Sequence, residues 1–310
     1  MTVERRRFDP RTERAKWLAW RKEALVTGST LGALWDCHPF ISRFKLYQQA
    51  RGAEFPDKET SVMRRGRLLE PAAVAAVLEE RPDWSLAFDS SFYFDPELRA
   101  GATPDRFIYA VGHDGFGILE IKNTNRQTFE DIWQQGTVCP LYVDLQIQLG
   151  AMLTGAQFGA AAVLLVEPYD VTCHVIDVPL GRFGEIRERI TAFAADVAEG
   201  REPTPEFEKD ADTIKQIAPP EQKGRILDLT GNNNVPYLLE RRSDIRDRIK
   251  RDEADVSVIE SELRYLMGEA EQIMGLPGWR VTWKTQHRKG YTVEPSSPRV
   301  LLIHDRRESQ

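Results

Sequence analysis

Along the first half of the chain the apolar residues keep two different periods. They recur every three or four positions in "RTERAKWLAWRKEA" (11–24), "ISRFKLYQQARG" (41–52) and "KETSVMRRGRLLEPAAVAAVLEE" (58–80), which predicts three helices, the last kinked or restarted at Pro71. "TGSTLGALWDC" (27–37) offers a Ser/Thr start for a further short helix. The period then drops to two in "WSLAF", "SFYFD", "TPDRFIYAV" and "FGILEIKN" (84–123), which predicts an antiparallel meander. "PLYVDLQIQLGAMLTG" (140–155) returns to helix, "GAAAVLLVEP" and "VTCHVIDVP" (159–179) to strand, and "GRFGEIRERITAFAADVAEG" (181–200) to an amphipathic helix. From 201 to 236 five prolines and "GNNN" mark a linker with room for one short helix. Beyond it, Leu238, Ile245, Ile249, Val256, Ile259, Leu263, Leu266, Ala270 and Ile273 keep a three/four spacing broken only at Asp252, and "WRVTWKT" and "RVLLIH" close the chain as strand candidates. The expected fold is mixed α/β, a central mixed sheet flanked by helices over residues 1–200, followed by the 201–236 linker and a helical and β extension over 237–310.

Composition narrows the class. A chain of 310 residues with 41% hydrophobic positions can bury a full core. No run of about 18 apolar residues appears and the charged N-terminus has no apolar stretch before a cleavage site, so a cytoplasmic protein without membrane contact is expected. Cys37, Cys139 and Cys173 stand singly, the pattern of buried thiols in a reducing compartment, and three cysteines exclude a four-cysteine iron–sulfur cluster within one chain. The net charge of −6 argues against an indiscriminate nucleic-acid binder, yet residues 1–22 hold eight Lys/Arg against three acids and residues 279–307 seven against two. Basic ends on an acidic body suit a protein that guides a polyanion.

The chemistry concentrates in "GATPDRFIYAVGHDGFGILEIKN" (101–123), two strands and a Gly-rich turn. Glu120 and Lys122 alternate with Ile118, Leu119 and Ile121, so both point to one face of an inner strand. Burying them there as a bare ion pair is costly, because desolvation can exceed the Coulombic gain. A divalent cation resolves this. Asp105, at the head of the neighbouring strand, reaches the same side of the hairpin, and Mg²⁺ or Mn²⁺ takes carboxylate, carbonyl and water oxygens, the Ile121 carbonyl among them. Lys122 would then hold or deprotonate an attacking water. Pro104-Asp105 followed by Glu120-Ile121-Lys122 is the PD-(D/E)xK nuclease signature, in which one or two metals activate the nucleophile and offset the charge of the pentavalent phosphate. His38, His113, His174, His287 and His304 lack metal-ligand spacing, "GHDGFG" has no following helix, and no G-x-x-x-x-G-K-[ST] run for ATP is present.

Five segments, "WLAWRKEALVTGS" (17–29), "MRRGRLLEP" (63–71), "YFDPELRAGATPDR" (93–106), "ILEIKN" (118–123) and "YVDLQIQLGAMLTG" (142–155), stand in the order found in the YqaJ-like viral recombinases, the group of lambda exonuclease, and the chain resembles that family over roughly residues 13–200. The resemblance implies a restriction-endonuclease-like core and a metal-dependent exonuclease. It would digest the 5′-ended strand at duplex DNA ends, leave a 3′ single strand for an annealing protein, and assemble as a homo-oligomeric ring in a bacterial host, encoded by a phage or prophage. Carried to this sequence, it makes Glu70 a helix-borne carboxylate for a second metal or its water, joins Gln146 to the catalytic set with Gln148 as the alternative, and matches Asp95 to an acidic position before the Pro-Asp pair. Arg21 or Lys22, with Ser29, would take the terminal 5′-phosphate. An endonuclease of the restriction or repair kind, and a non-catalytic DNA-binding module on the same core, are the competing expectations.

Overall fold

The computed structural model describes residues 2–55, 59–167, 170–275, 277–286 and 303. It contains two compact units, Met1–Pro220 and Glu221–Gln310. The first comprises, in chain order, β1 (Glu4–Arg7), α1 (Arg14–Glu23), β2 (Val26–Thr27), a 3₁₀ helix (Gly28–Trp35), α2 (Arg43–Ala50), α3 (Ser61–Glu80), β3 (Trp84–Ala87), β4 (Ser91–Asp95), β5 (Ala100–Ala102), β6 (Arg106–Ala110) and β7 (Gly117–Thr124). It continues with α4 (Arg126–Asp131), α5 (Leu141–Thr154), β8 (Phe158–Glu167), β9 (Asp170–Val178), α6 (Phe183–Glu199) and α7 (Phe207–Ile217). The second holds α8 (Asn234–Met267) and a short hairpin of β10 (Gln272–Ile273) and β11 (Val281–Thr282).

The expected meander is divided between two sheets. β3, β6 and β7 form an antiparallel run in a five-stranded sheet ordered β3-β6-β7-β8-β9, in which β8 and β9 are also antiparallel and β7 and β8 parallel, as the α5 crossover between them requires. β4 and β5 instead join β1 and β2 in a second sheet ordered β1-β4-β5-β2. β1 reads "ERRR" and carries no apolar alternation; it is held at an edge by pairing with β4 and by Arg6, whose guanidinium lies 4.7 Å from the Phe94 ring and 2.6 Å from Glu23. Several N-terminal cations are thus tied to local carboxylates, Arg5 to Asp89, Arg6 to Glu4 and Glu23, and Lys16 to Glu13, rather than gathered into one uncommitted patch.

α5 lies between the two sheets and is buried on several sides. Leu145, Leu149, Met152 and Leu153 pack with the 3₁₀ helix, β5 and α6, while Val143, Ile147 and Ala151 pack with Phe107 of β6, Ile118 of β7 and Val163 of β8. The opposite face of the five-stranded sheet is covered by α3, whose Val77 meets Ile108, Leu119 and Ala162. α3 runs unbroken through Pro71, with Thr60 as its N-cap. The close seating of the 3₁₀ helix on α5 depends on missing side chains: a Cβ at Gly32 would stand 2.9 Å from Tyr142 Cβ, and one at Gly28 3.2 Å from Gln146 Cγ.

The stretch expected as linker is also divided. Residues 207–217 form α7, which belongs to the first unit, where the fully buried Asp210 accepts a 2.6 Å hydrogen bond from Ser42 Oγ, the N-cap of α2, and another from the Glu206 N–H. α8 continues without interruption across Asp252, since a single charged residue does not break a helix. Of the terminal "RVLLIH", only Ile303 lies within the described residues. No helix among the described residues is long and apolar enough to cross a membrane. Asp210→Ala, which strands the Ser42 hydroxyl and the Glu206 N–H, is expected to destabilise the first unit by about 1–3 kcal/mol in urea unfolding.

Candidate active site

β6 and β7 pair Arg106 with Leu119 and Phe107 with Ile118. Extending that register by one position sets Asp105 opposite Glu120, where the strands begin to part. Asp105 lies across the gap and its Oδ2 accepts the Ile121 N–H at 2.8 Å. Glu120 is buried, 4% exposed, and its Oε1 accepts from Lys122 Nζ at 2.5 Å and from Gln146 Nε2 at 2.5 Å. Lys122 Nζ also donates to Gln146 Oε1 at 3.2 Å, closing a triangle of Glu120, Lys122 and Gln146. Glu70, one turn beyond Gly66 on α3, lines the same cleft, a cavity of about 240 Å³ whose wall includes Asp105, Glu120, Ile121, Lys122 and Asn123. α3 approaches this closely because Gly66 carries no side chain: a Cβ there would meet Asn123 Nδ2 at 3.2 Å.

The electrostatics follow from two carboxylates facing each other with limited solvent. Burial, then the Glu120 charge, push the Asp105 carboxyl well above its ordinary value, against the opposing pull of Lys122 and the Ile121 N–H. For Lys122, burial favours loss of the proton, but Glu120 and Asp105 together outweigh it and hold the ammonium above its ordinary value. Lys122 is therefore a firmly protonated donor in this arrangement. A divalent cation fits the site because a single ammonium offsets only one of two opposed carboxylates, and a doubly charged ion removes the repulsion that raises Asp105. Among the described residues no three His, Cys, Asp or Glu side chains already stand grouped for a metal. Glu70, the third acid of the cleft, is turned to Arg106, whose Nη1 lies 2.6 Å from its carboxylate and also donates to the Asp105 carbonyl.

The remaining expected residues separate clearly. Arg21 Nη2 donates to Ser29 Oγ at 2.7 Å and to Thr27 Oγ1 at 3.3 Å, with its guanidinium 4.7 Å from the Trp17 ring. Arg21 and Ser29 line a small cavity, about 20 Å³, that also touches Glu120 and Gln146. Lys22 points elsewhere, exposed and 3.9 Å from Glu54. Gln148 is not at the site. Its amide is buried on another side of α5, donating to the Pro179 carbonyl and Asp144 and accepting from the N–H groups of Gly181 and Arg182, so that it fixes the entry to α6. Residues two positions apart on an α-helix lie about 200° apart around its axis, which is why Gln146 and Gln148 diverge. Asp95 is likewise committed elsewhere: buried, it accepts the N–H groups of Glu97 and Leu98 and shapes the turn from β4 to β5.

Asn123, which lines the cleft, and Arg106, which holds Glu70 and the Asp105 carbonyl, are functional neighbours that the sequence reading did not single out; Arg106 follows the Pro-Asp pair, the one signal that marks it. Of the histidines, His38 accepts the Phe40 and Ile41 N–H groups on Nδ1 and is pushed down to about 4, chiefly by burial, and its ring stands 6.0 Å from that of Tyr142. His113 lies 5.1 Å from Phe158 and His174 4.9 Å from Phe129, while His287 and His304 fall outside the described residues. Burial pushes the Cys139 thiol up to about 12 and that of Cys173 to about 11, marking them as unreactive.

Comparison with known proteins matches residues 16–157 to the YqaJ-like viral recombinase domain. No curated protein matches the chain. Among solved structures, the chain is similar to the alkaline exonuclease LHK-Exo from Laribacter hongkongensis, with 21% identity and a TM-score of 0.46 over 64% of this chain and 99% of that one, and equally to the same enzyme in complex with dAMP. It is also similar to a SOX–DNA complex, with 12% identity and a TM-score of 0.37 over 65% and 68% of the two chains. The span that matches the YqaJ-like viral recombinase domain runs from α1 into α5 and contains Arg21, Ser29, Glu70, Asp105, Glu120, Lys122 and Gln146.

Proposed function

We propose that this protein is a divalent-metal-dependent deoxyribonuclease of phage-type recombination, which digests the 5′-ended strand of linear duplex DNA and leaves a 3′ single strand for an annealing protein. One observation carries the reading: Asp105, Glu120, Lys122 and Gln146 converge on a single cleft at the parting of β6 and β7. The match of residues 16–157 to the YqaJ-like viral recombinase domain supports it independently.

In this reading Asp105 and Glu120 hold Mg²⁺ or Mn²⁺ together with the Ile121 carbonyl, and Glu70 serves a second ion or its water. The metal, when bound, supplies a water ionised near neutral pH and counter-charge for the pentavalent phosphate. The protein's own groups do the positioning. Lys122, protonated, donates to the attacking water or a phosphate oxygen, and Gln146 fixes the angle of that ammonium through its Oε1. Arg21 and Ser29, adjoining the same carboxylate through the smaller cavity, offer a guanidinium and a hydroxyl to a terminal 5′-phosphate. Ring assembly around the duplex completes the proposal as its account of how the protein stays on DNA.

Digestion of linear duplex labelled at either 5′ or 3′ ends, with Mg²⁺, is expected to consume the 5′-ended strand, and Lys122→Ala to lose at least about 100-fold in rate while still binding DNA; cutting of closed circles at a comparable rate would reject the exonuclease assignment. Arg21→Ala is expected to remove most of the preference for 5′-phosphorylated over 5′-hydroxyl ends, measured as the ratio of kcat/KM values, while leaving slow digestion of both. Asp105→Asn removes a carboxylate whose raised value makes it a liability that grows as pH climbs above the ordinary carboxylate range. In EDTA the variant should therefore melt roughly a few degrees higher than the unmodified chain at pH 8, with a smaller gain at pH 4. It should also lose the stabilisation that Mn²⁺ gives the unmodified chain.

A further inference from the structure

α8 carries a stripe that stands exposed among the described residues of its own unit. From residue 235 to 266 the chain steps by three and four without error, through Val235, Leu238, Arg242, Ile245, Ile249, Asp252, Val256, Ile259, Leu263 and Leu266. That is the a/d pattern of a two-stranded coiled coil. Leu238, Ile245, Ile249, Val256 and Ile259 are 39–57% exposed, a level that leaves their outer faces bare. Among the described residues of α8, Met267 in the last turn is the buried one. An apolar seam of this length is unfavourable in water unless another helix covers it.

The two charged residues in the seam identify that helix. Parallel pairing with a second copy in register would set Arg242 on Arg242 and Asp252 on Asp252, and would lay the segment 252–262, which has five carboxylates and no Lys or Arg, along its own duplicate. Antiparallel pairing allows several registers, one heptad apart. In one of them Arg242 faces Asp252, Ile245 faces Ile249, Leu238 faces Val256 and Val235 faces Ile259, each layer occurring twice about a two-fold axis at residue 247. A shift of one heptad either way sets both charges against aliphatic side chains, where an unpaired ion is costly. We propose that α8 pairs with α8 of a second copy of this chain as an antiparallel coiled coil in the register that joins Arg242 to Asp252. The seam from 235 to 259 is about 37 Å long at 1.5 Å per residue. Its two ion pairs select orientation and register, and its six aliphatic layers supply the association energy. This pairing does not depend on the nuclease reading, since it uses residues outside the matched domain.

Sedimentation equilibrium on the full chain tests it. Asp252→Arg and Arg242→Asp, each alone, place like charges in the seam and are expected to raise the dissociation constant of the pair at least about 100-fold, lowering the mass at least twofold at micromolar concentration. An equimolar mixture of the two variants restores both contacts in trans and should recover the original mass, as should the double variant on one chain. Circular dichroism at 222 nm, unchanged across the set, excludes loss of the helix itself. The proposal fails if the single variants keep the mass of the unmodified chain, if the mixture stays at the lower mass, or if the unmodified chain has the mass of the single variants, the outcome expected of a seam built for a different protein.

Discussion

Two carboxylates that would repel each other are held face to face by a hairpin whose strands separate just where they meet. Everything else in the candidate site answers that repulsion. Lys122 takes one side of it, Gln146 braces Lys122, and the Ile121 N–H steadies Asp105. Were the two strands paired to the end, Ile121 would give its N–H to a strand neighbour and Asp105 would have no fixed orientation. The break in pairing is what frees the Ile121 N–H for the Asp105 carboxylate and leaves two acids facing one cleft.

The position of α5 explains why this local arrangement needs a domain around it. Its apolar faces lock the two sheets together, and its one polar contact with the cleft, Gln146, is set at the level of Glu120 by Gly28 and Gly32, which let the 3₁₀ helix settle against it. The same settling brings Ser29, and through it Arg21, within one small cavity of Glu120. Packing of the core and assembly of the site are thus one event, and a side chain added at Gly32 would disturb both.

Much of this was legible in the chain. The period-two runs marked β3, β4, β6 and β7, and the Glu-Ile-Lys alternation put two charges on one face before any coordinates were known. The division of strands between two sheets was not legible, because alternation reports which face of a strand is buried and not which sheet it joins. β1 gave no signal, being charged throughout and kept in place by Phe94 and Glu23. The choice between Gln146 and Gln148 required tertiary structure, since α5 buries residues on both faces and periodicity cannot say which one looks toward β7. Asp95 illustrates the opposite limit: a carboxylate near an active-site motif, followed by proline, was spent on a turn.

The helix that bears Glu70 differs in kind from the strands that bear Asp105 and Glu120. Pro71 deprives α3 of one backbone donor immediately after Glu70, and Gly66 thins the same helix four residues before it. Glu70 therefore sits on a turn of α3 that lacks one backbone hydrogen bond, while its two companions are anchored in a sheet. The candidate site thus joins two carboxylates set by strand pairing to a third whose backbone support is one hydrogen bond short, an asymmetry between its two walls.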